Sequence, residues 1–173
     1  MRTMDLFLET QIDHDYEPLA ALLRGDPERW LPGAERMGEQ LIFEVGLGPS
    51  GRRVQRKVQA MLSRVQPFGH GVAVHVEWRA LRRPELYPTL AGALRLERAG
   101  PDRCRLAFDA TYRPPAGRVG MAIDQALMHR VAEASLRDFV ARLVDRLTEG
   151  APTAGADPGA GGGERAPDAS AAP

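Results

Sequence analysis

The stretch Val72-Ala73-Val74-His75-Val76-Glu77-Trp78-Arg79 alternates large apolar side chains with small or polar ones. Successive side chains of a β-strand point to opposite faces, so this period of two predicts a strand with one buried face. The same period recurs between Gly38 and Pro114, with turn-forming residues between the apolar runs. This part of the chain therefore predicts an antiparallel meander of five strands with one apolar face.

A further strand and two short helices are predicted before the meander. Residues 4–12 show the same alternation of apolar and polar side chains, which predicts a strand. Asp13 is a candidate N-cap for a short helix over about residues 14–24. Asp26 and Pro27 then begin a second short helix, because Asp favours the cap and Pro favours the first helical position.

A long helix is predicted after the meander, over about residues 119–148, with apolar side chains along one stripe and a second stripe on its first half. An antiparallel sheet of about six strands with helices on one face is an α+β arrangement. One helix covers only a strip of such a sheet, so the sheet must curl around it, and any remaining space forms an apolar cavity. We expect one domain over residues 1–150. The remaining residues, 151–173, are predicted to be a disordered tail, since Ala, Gly and Pro fill 17 of the 23 positions.

Composition excludes several classes of protein. Residues 1–150 hold 22 basic and 20 acidic residues, a net charge of +2, which is too small for a typical nucleic-acid-binding surface. Cys104 is the only cysteine, so no disulfide within the chain supports the fold. No apolar run approaches the roughly 20 residues of a membrane span, and the N-terminus is unlike a signal peptide. We therefore expect a soluble, cytoplasmic protein without an integral membrane segment.

Short motifs give the chain a family resemblance. The helix pair ends in Trp30-Leu31-Pro32-Gly33, and the last strand leads into Tyr112–Gly120, followed by Asp124 and His129–Glu133. With these motifs, about residues 3–148 resemble the START-like, or Bet v 1-like (SRPBCC), helix-grip superfamily, which includes polyketide cyclase/dehydrase and lipid-transport proteins. The resemblance implies a curved sheet wrapped around a long C-terminal helix. It also implies an internal cavity for an apolar or amphipathic ligand.

Three features that suggest other chemistry have simpler structural interpretations. Gly46–Gly51 matches G-x-G-x-x-G, but a strand follows it where a dinucleotide site needs a helix, so we expect a hairpin turn. His70 and His75 would lie on opposite faces of one strand, which argues against a metal site. Cys104 is in phase with apolar neighbours, which favours a core residue over a nucleophile. We expect no cofactor.

Arg56 and Arg64 are the charged residues without such a simple interpretation. They share parity with Val54, Val58 and Leu62, so in a regular strand they point toward the buried face. A buried arginine needs a partner or a polar cavity, which makes Arg56 a candidate contact for a ligand head group or for catalysis. A β-bulge that turns both residues outward is the open alternative.

The candidate cavity wall combines aromatic and aliphatic residues with Arg56, and ordinary core packing is the alternative for them. These candidates are Trp30, Phe43, Arg56, Val76, Trp78, Phe108, Tyr112, Ile123 and Leu127. We expect a non-enzymatic protein that binds a lipid, isoprenoid or polyketide in the cavity. In the enzymatic alternative, a polyketide aromatase/cyclase, Arg56 stabilises an enolate and Tyr112 transfers a proton. A module for protein interaction, including self-association as a homodimer, is the third hypothesis.

Overall fold

The computed structural model describes residues 3–47, 54–84, 87–114 and 125–152. Its strands are β1 (Met4–Ile12), β2 (Glu35–Met37), β3 (Gln40–Leu47), β4 (Val54–Leu62), β5 (Gln66–Phe68), β6 (Gly71–Ala80), β7 (Thr89–Gly100) and β8 (Arg103–Arg113). Its helices are α1 (Tyr16–Arg24), α2 (Pro27–Trp30) and α3 (Gln125–Gly150).

The strands form one antiparallel sheet in the order β1-β8-β7-β6-β4-β3-β2, with β5 paired to β6 outside this path. In β6 the apolar positions from Val72 to Trp78 are buried and alternate with more exposed ones, as the sequence predicts. The sheet has two more strands than the six expected. Strands β2 and β5 are three-residue segments that are exposed throughout, so no alternation of hydrophobicity marks them.

The two short helices follow β1, as predicted, but α1 begins later than expected. Its N-cap residue is Asp15 rather than Asp13, because the His14 N–H donates to the Ile12 carbonyl at 3.0 Å and forms a tight turn after the strand. Helix α2 begins as predicted, with Pro27 at its first position. The side chain of Asp26 accepts a hydrogen bond from the Glu28 N–H at 3.2 Å.

Helix α3 packs on the apolar face of the sheet. It contacts β1 at one edge of the sheet and β3 near the other, so the sheet curls around the helix. In the middle, the Phe139 ring of α3 has centroid distances of 5.6, 5.0 and 5.9 Å to the rings of Phe43, Trp78 and Phe108. The predicted α+β helix-grip arrangement is confirmed, and four aromatic rings fill its centre.

The end of α3 continues into a packed residue. Ala151, the first residue after the predicted domain, is 7% exposed, and its N–H donates to the Leu147 carbonyl. The predicted helical residues 119–124, residues 48–51 of the predicted hairpin turn and the tail from residue 153 lie outside the described residues. None of the helices in the described ranges has the length and apolarity that a bilayer crossing requires.

Candidate functional site

A pocket lies between the sheet and α3, beside the aromatic cluster. Val45, Val58, Trp78 and Leu90 contribute its apolar wall from the sheet, and Ala132 contributes from the helix. The space inside totals about 430 Å³, including the opening to solvent, and the centre of a water molecule can occupy about 20 Å³ of it. As it stands, the pocket therefore has room for about one water molecule.

Two hydroxyl groups interrupt this apolar wall. Ser135 of α3 is 7% exposed, and its buried Oγ has no hydrogen-bond partner among the residues that the structure describes. Tyr112 at the end of β8 is also buried, and burial raises the pKa of its hydroxyl to about 12 because the phenolate would lose its hydration. Both groups are therefore protonated at neutral pH and can donate a hydrogen bond inside the pocket.

Arg56 lies at the opening of the pocket, which we call the mouth. Strand β4 pairs with β3 in an unbroken register in which Arg56 is opposite Val45 and Val58 is opposite Phe43. Cross-strand partners share a face, so Arg56 emerges on the concave face, and no bulge turns it outward. Its side chain is exposed, and its guanidinium carbon lies 5.4 Å from the centroid of the Tyr87 ring, which lines the pocket.

Arg64 has a different environment. It follows the last residue of β4, Leu62, and its side chain is exposed. With Arg24, Trp30 and Ser63 it lines a second groove beside α1 and α2, in which the centre of a water molecule can occupy about 380 Å³. This groove is more open to solvent than the pocket, and the buried Nε1–H of Trp30 beside it has no hydrogen-bond partner.

The predicted cavity residues separate into three groups. Trp78 and Tyr112 line the pocket, and Arg56 stands at its mouth. A second group, fully buried in the core, contributes neither to the pocket nor to the second groove; it consists of Phe43, Val76 and Phe108. The third group consists of Trp30, which lines the second groove, Leu127, which lies in α3, and Ile123, which lies outside the described residues.

Sequence reasoning missed several residues that shape the pocket. Ser135 lies three residues after Ala132 and four before Phe139, so it interrupts an apolar helical stripe, and a polar residue there was the available signal. Tyr87 had no comparable signal, because it belongs to the connection between β6 and β7 and not to a regular element.

The remaining reactive side chains have structural roles. The thiol of Cys104 is buried and donates to the His14 carbonyl at 3.2 Å, and burial raises its pKa, which disfavours the nucleophilic thiolate. Within the part of the chain that the structure describes, no three His, Cys, Asp or Glu side chains are grouped so that they could hold a metal ion. The pocket is therefore the feature of this fold that we take as the candidate site.

No protein-family model matches the chain, and no curated protein matches its sequence. Solved structures do match: a conserved protein from Geobacillus kaustophilus has 16% identity and a TM-score of 0.55, with 86% of this chain and 98% of that chain covered. The Zhui aromatase/cyclase from Streptomyces sp. R1128 has 12% identity and a TM-score of 0.52, with 86% and 94% covered. A START superfamily protein from Mycobacterium smegmatis has 11% identity and a TM-score of 0.51, with 84% and 97% covered. At these identities the likeness concerns the fold, and the chain has the START-like, or Bet v 1-like (SRPBCC), helix-grip fold.

Proposed function

We propose that the protein binds a hydrophobic or amphipathic small molecule in the pocket between the sheet and α3, without catalysing a reaction on it. The observation that carries this proposal is an apolar pocket into which Ser135 presents a buried hydroxyl that has no hydrogen-bond partner among the described residues. A buried polar group without a partner costs about 1–3 kcal/mol, so evolution usually pairs it or removes it. A ligand that accepts a hydrogen bond from Ser135 recovers this free energy.

The small volume of the pocket implies that a ligand enlarges it on binding. Burial of apolar surface contributes about 25 cal/mol per Å², so a ligand that buries roughly 200 Å² gains about 5 kcal/mol. Tyr87 and Pro88, at the opening, are only half-buried and belong to a connection between strands. Displacement of this segment is therefore the least costly way to admit a ligand.

The chemistry of the pocket wall favours binding over catalysis. Among its described residues there is no carboxylate, imidazole or thiol, the groups that most often act as general base or nucleophile. Tyr112, with a pKa of about 12, retains its proton at neutral pH and is a poor base. A wall of this composition supports a role in holding a molecule.

Titration with the neutral, apolar dye N-phenyl-1-naphthylamine tests the proposal. We expect saturable binding at one site per chain, with enhanced dye fluorescence. Ala132→Leu fills the pocket and should weaken dye binding by at least about tenfold. A tenfold change corresponds to about 1.4 kcal/mol of binding free energy. Ala141→Leu is the matched control, since Ala141 is exposed on the same helix. Dye binding that is equal in both variants would place the ligand elsewhere.

A second candidate function, polyketide cyclisation, is favoured by one observation. Tyr112 presents a protonated phenol to the pocket, and a phenol can protonate an enolate oxygen or carbon during aldol closure. If the protein is a cyclase, Tyr112→Phe should abolish formation of cyclised product from a poly-β-ketone mimic and leave dye binding intact. Absence of cyclised product with the wild-type protein would exclude this function for that substrate.

A further inference from the structure

We propose that the ligand of the pocket carries an anionic head group, which Arg56 binds at the mouth. This inference rests on the proposed function, because it assigns the chemical class of the molecule that the pocket holds. The class is a single-chain anionic amphiphile, with its apolar part between the sheet and α3 and a carboxylate or phosphate outside.

Arg56 is the cation that the structure places at the mouth. It lies over the ring of Tyr87, which lines the pocket, and its side chain is exposed. Arg56 forms no ion pair with any residue in the described ranges.

Several other arginines are neutralised locally. Seven described arginines are ion-paired with a carboxylate, among them Arg95 with Asp109 and Arg105 with Glu9 on the sheet. Arg56 has no such partner among the described residues. A cation without a carboxylate partner raises the local positive potential, which attracts an anion from solution.

No carboxylate lines the pocket among the described residues. A cationic side chain at the mouth above an apolar interior is complementary to an amphiphile with a negative end.

Arg56 is suited to hold such a head group. A guanidinium that lies over an aromatic ring keeps N–H donors free at its edge, and the ring restricts its orientation. Those donors match the two oxygens of a carboxylate, or of a phosphate, in a bidentate pair. Because Arg56 emerges on the same face as the buried Val45, a head group bound to it lies directly above the apolar wall.

Calorimetric titration of the full chain with decanoate and decanol at pH 7.5 tests this inference. The two probes share a chain length and differ in charge. We expect decanoate to bind at least about tenfold more tightly than decanol. Arg56→Gln should weaken decanoate binding by about 5- to 20-fold and change decanol binding by less than about twofold. Arg56→Lys should retain part of the preference, since it keeps the charge but loses the bidentate geometry.

Arg146→Gln is the control, because Arg146 is also exposed and forms no ion pair with a described residue, but lies near the C-terminal end of α3. It should leave the affinity for both probes unchanged. Equal affinity for decanoate and decanol would overturn the anionic assignment and leave the pocket proposal standing. An equal loss of decanoate affinity in Arg56→Gln and Arg146→Gln would have the same consequence. If neither probe nor the neutral dye binds, both proposals fail. Binding to phosphatidylglycerol vesicles without binding of monomeric decanoate would overturn the inference in favour of a membrane surface.

Discussion

The indole ring of Trp78 lies 5.0 Å from the ring of Phe139, and this contact joins the centre of the sheet to α3. Trp78 also lines the pocket, whereas Phe139 is fully buried in the aromatic cluster. The two side chains therefore mark the boundary between the packed core and the pocket. On one side of them the helix and the sheet interlock, and on the other side they leave space.

Replacement of Phe139 should therefore affect the whole fold. We expect Phe139→Ala to lower the free energy of unfolding by about 3–5 kcal/mol, because it removes ring contacts and leaves a cavity at the centre. Phe7→Ala is the control, since Phe7 is 62% exposed, and should change stability by less than about 0.5 kcal/mol. Urea unfolding followed by circular dichroism measures both. A loss below about 1 kcal/mol for Phe139→Ala would show that the cluster does not hold the helix to the sheet.

The unpartnered hydroxyl of Ser135 predicts an unusual response to substitution. Ser135→Ala removes a buried polar group that has no hydrogen bond, so stability should stay the same or rise by up to about 1 kcal/mol. Ser63→Ala should instead lower it by about 1 kcal/mol, because the Ser63 hydroxyl accepts a hydrogen bond from the His75 N–H at 2.9 Å. The same unfolding assay compares them. Clear destabilisation by Ser135→Ala would mean that its hydroxyl has a partner in the free protein.

The raised pKa of Tyr112 predicts a specific loss of stability in alkali. Below pH 10 the hydroxyl is protonated in both the folded and the unfolded chain, so it causes no pH dependence. Between pH 10 and its folded pKa of about 12, only the unfolded chain ionises, so the unfolded state gains stability as the pH rises. We expect the wild-type protein to lose about 2 kcal/mol more than Tyr112→Phe over this interval.

Unfolding at pH 9.5 and at pH 11.5 measures the difference between the two proteins. Comparison with Tyr112→Phe removes the contribution of every other titrating group, including the Cys104 thiol. Parallel pH profiles for wild type and variant would contradict the burial of the Tyr112 hydroxyl.

The single cysteine provides a direct probe of core opening. Cys104 is buried and its pKa is raised, so a thiol reagent at pH 8 should react with the folded protein at least about 100-fold more slowly than with the protein in guanidinium chloride. An aromatic disulfide is a suitable reagent, because its reaction with Cys104 releases an aromatic thiolate whose absorbance records the rate. Similar rates in the two conditions would show that β8 opens readily near Cys104.

Local patterns were sufficient to predict most of the fold. The alternation from Val72 to Trp78 predicted a half-buried strand, and Asp26 with Pro27 predicted the start of α2. Strands β2 and β5 could not be predicted, because three exposed residues carry no period and their pairing depends on distant strands. The start of α1 was displaced by a backbone hydrogen bond from His14 that residue types do not specify.

The candidate site was less predictable, because core and pocket use the same strand parity. Phe43, Phe108 and Trp78 all point inward and all contact Phe139 of α3, but of the three only Trp78 also lines the pocket. That difference results from long-range packing. Strand parity predicted that Arg56 lies on the concave face if β4 has no bulge, and the unbroken register confirms this. The exposure of Arg56 at the mouth instead depends on the connection that carries Tyr87.

The two tryptophans of the chain lie in different cavities, Trp78 in the pocket and Trp30 in the groove beside α1 and α2. Quenching of each by a decanoate or decanol with a terminal bromine therefore tests the location of the ligand most directly. We expect saturable quenching of Trp78 emission in Trp30→Phe, at one ligand per chain, and little quenching of Trp30 in Trp78→Phe. Quenching of Trp30 alone, or of neither tryptophan, would contradict this expectation.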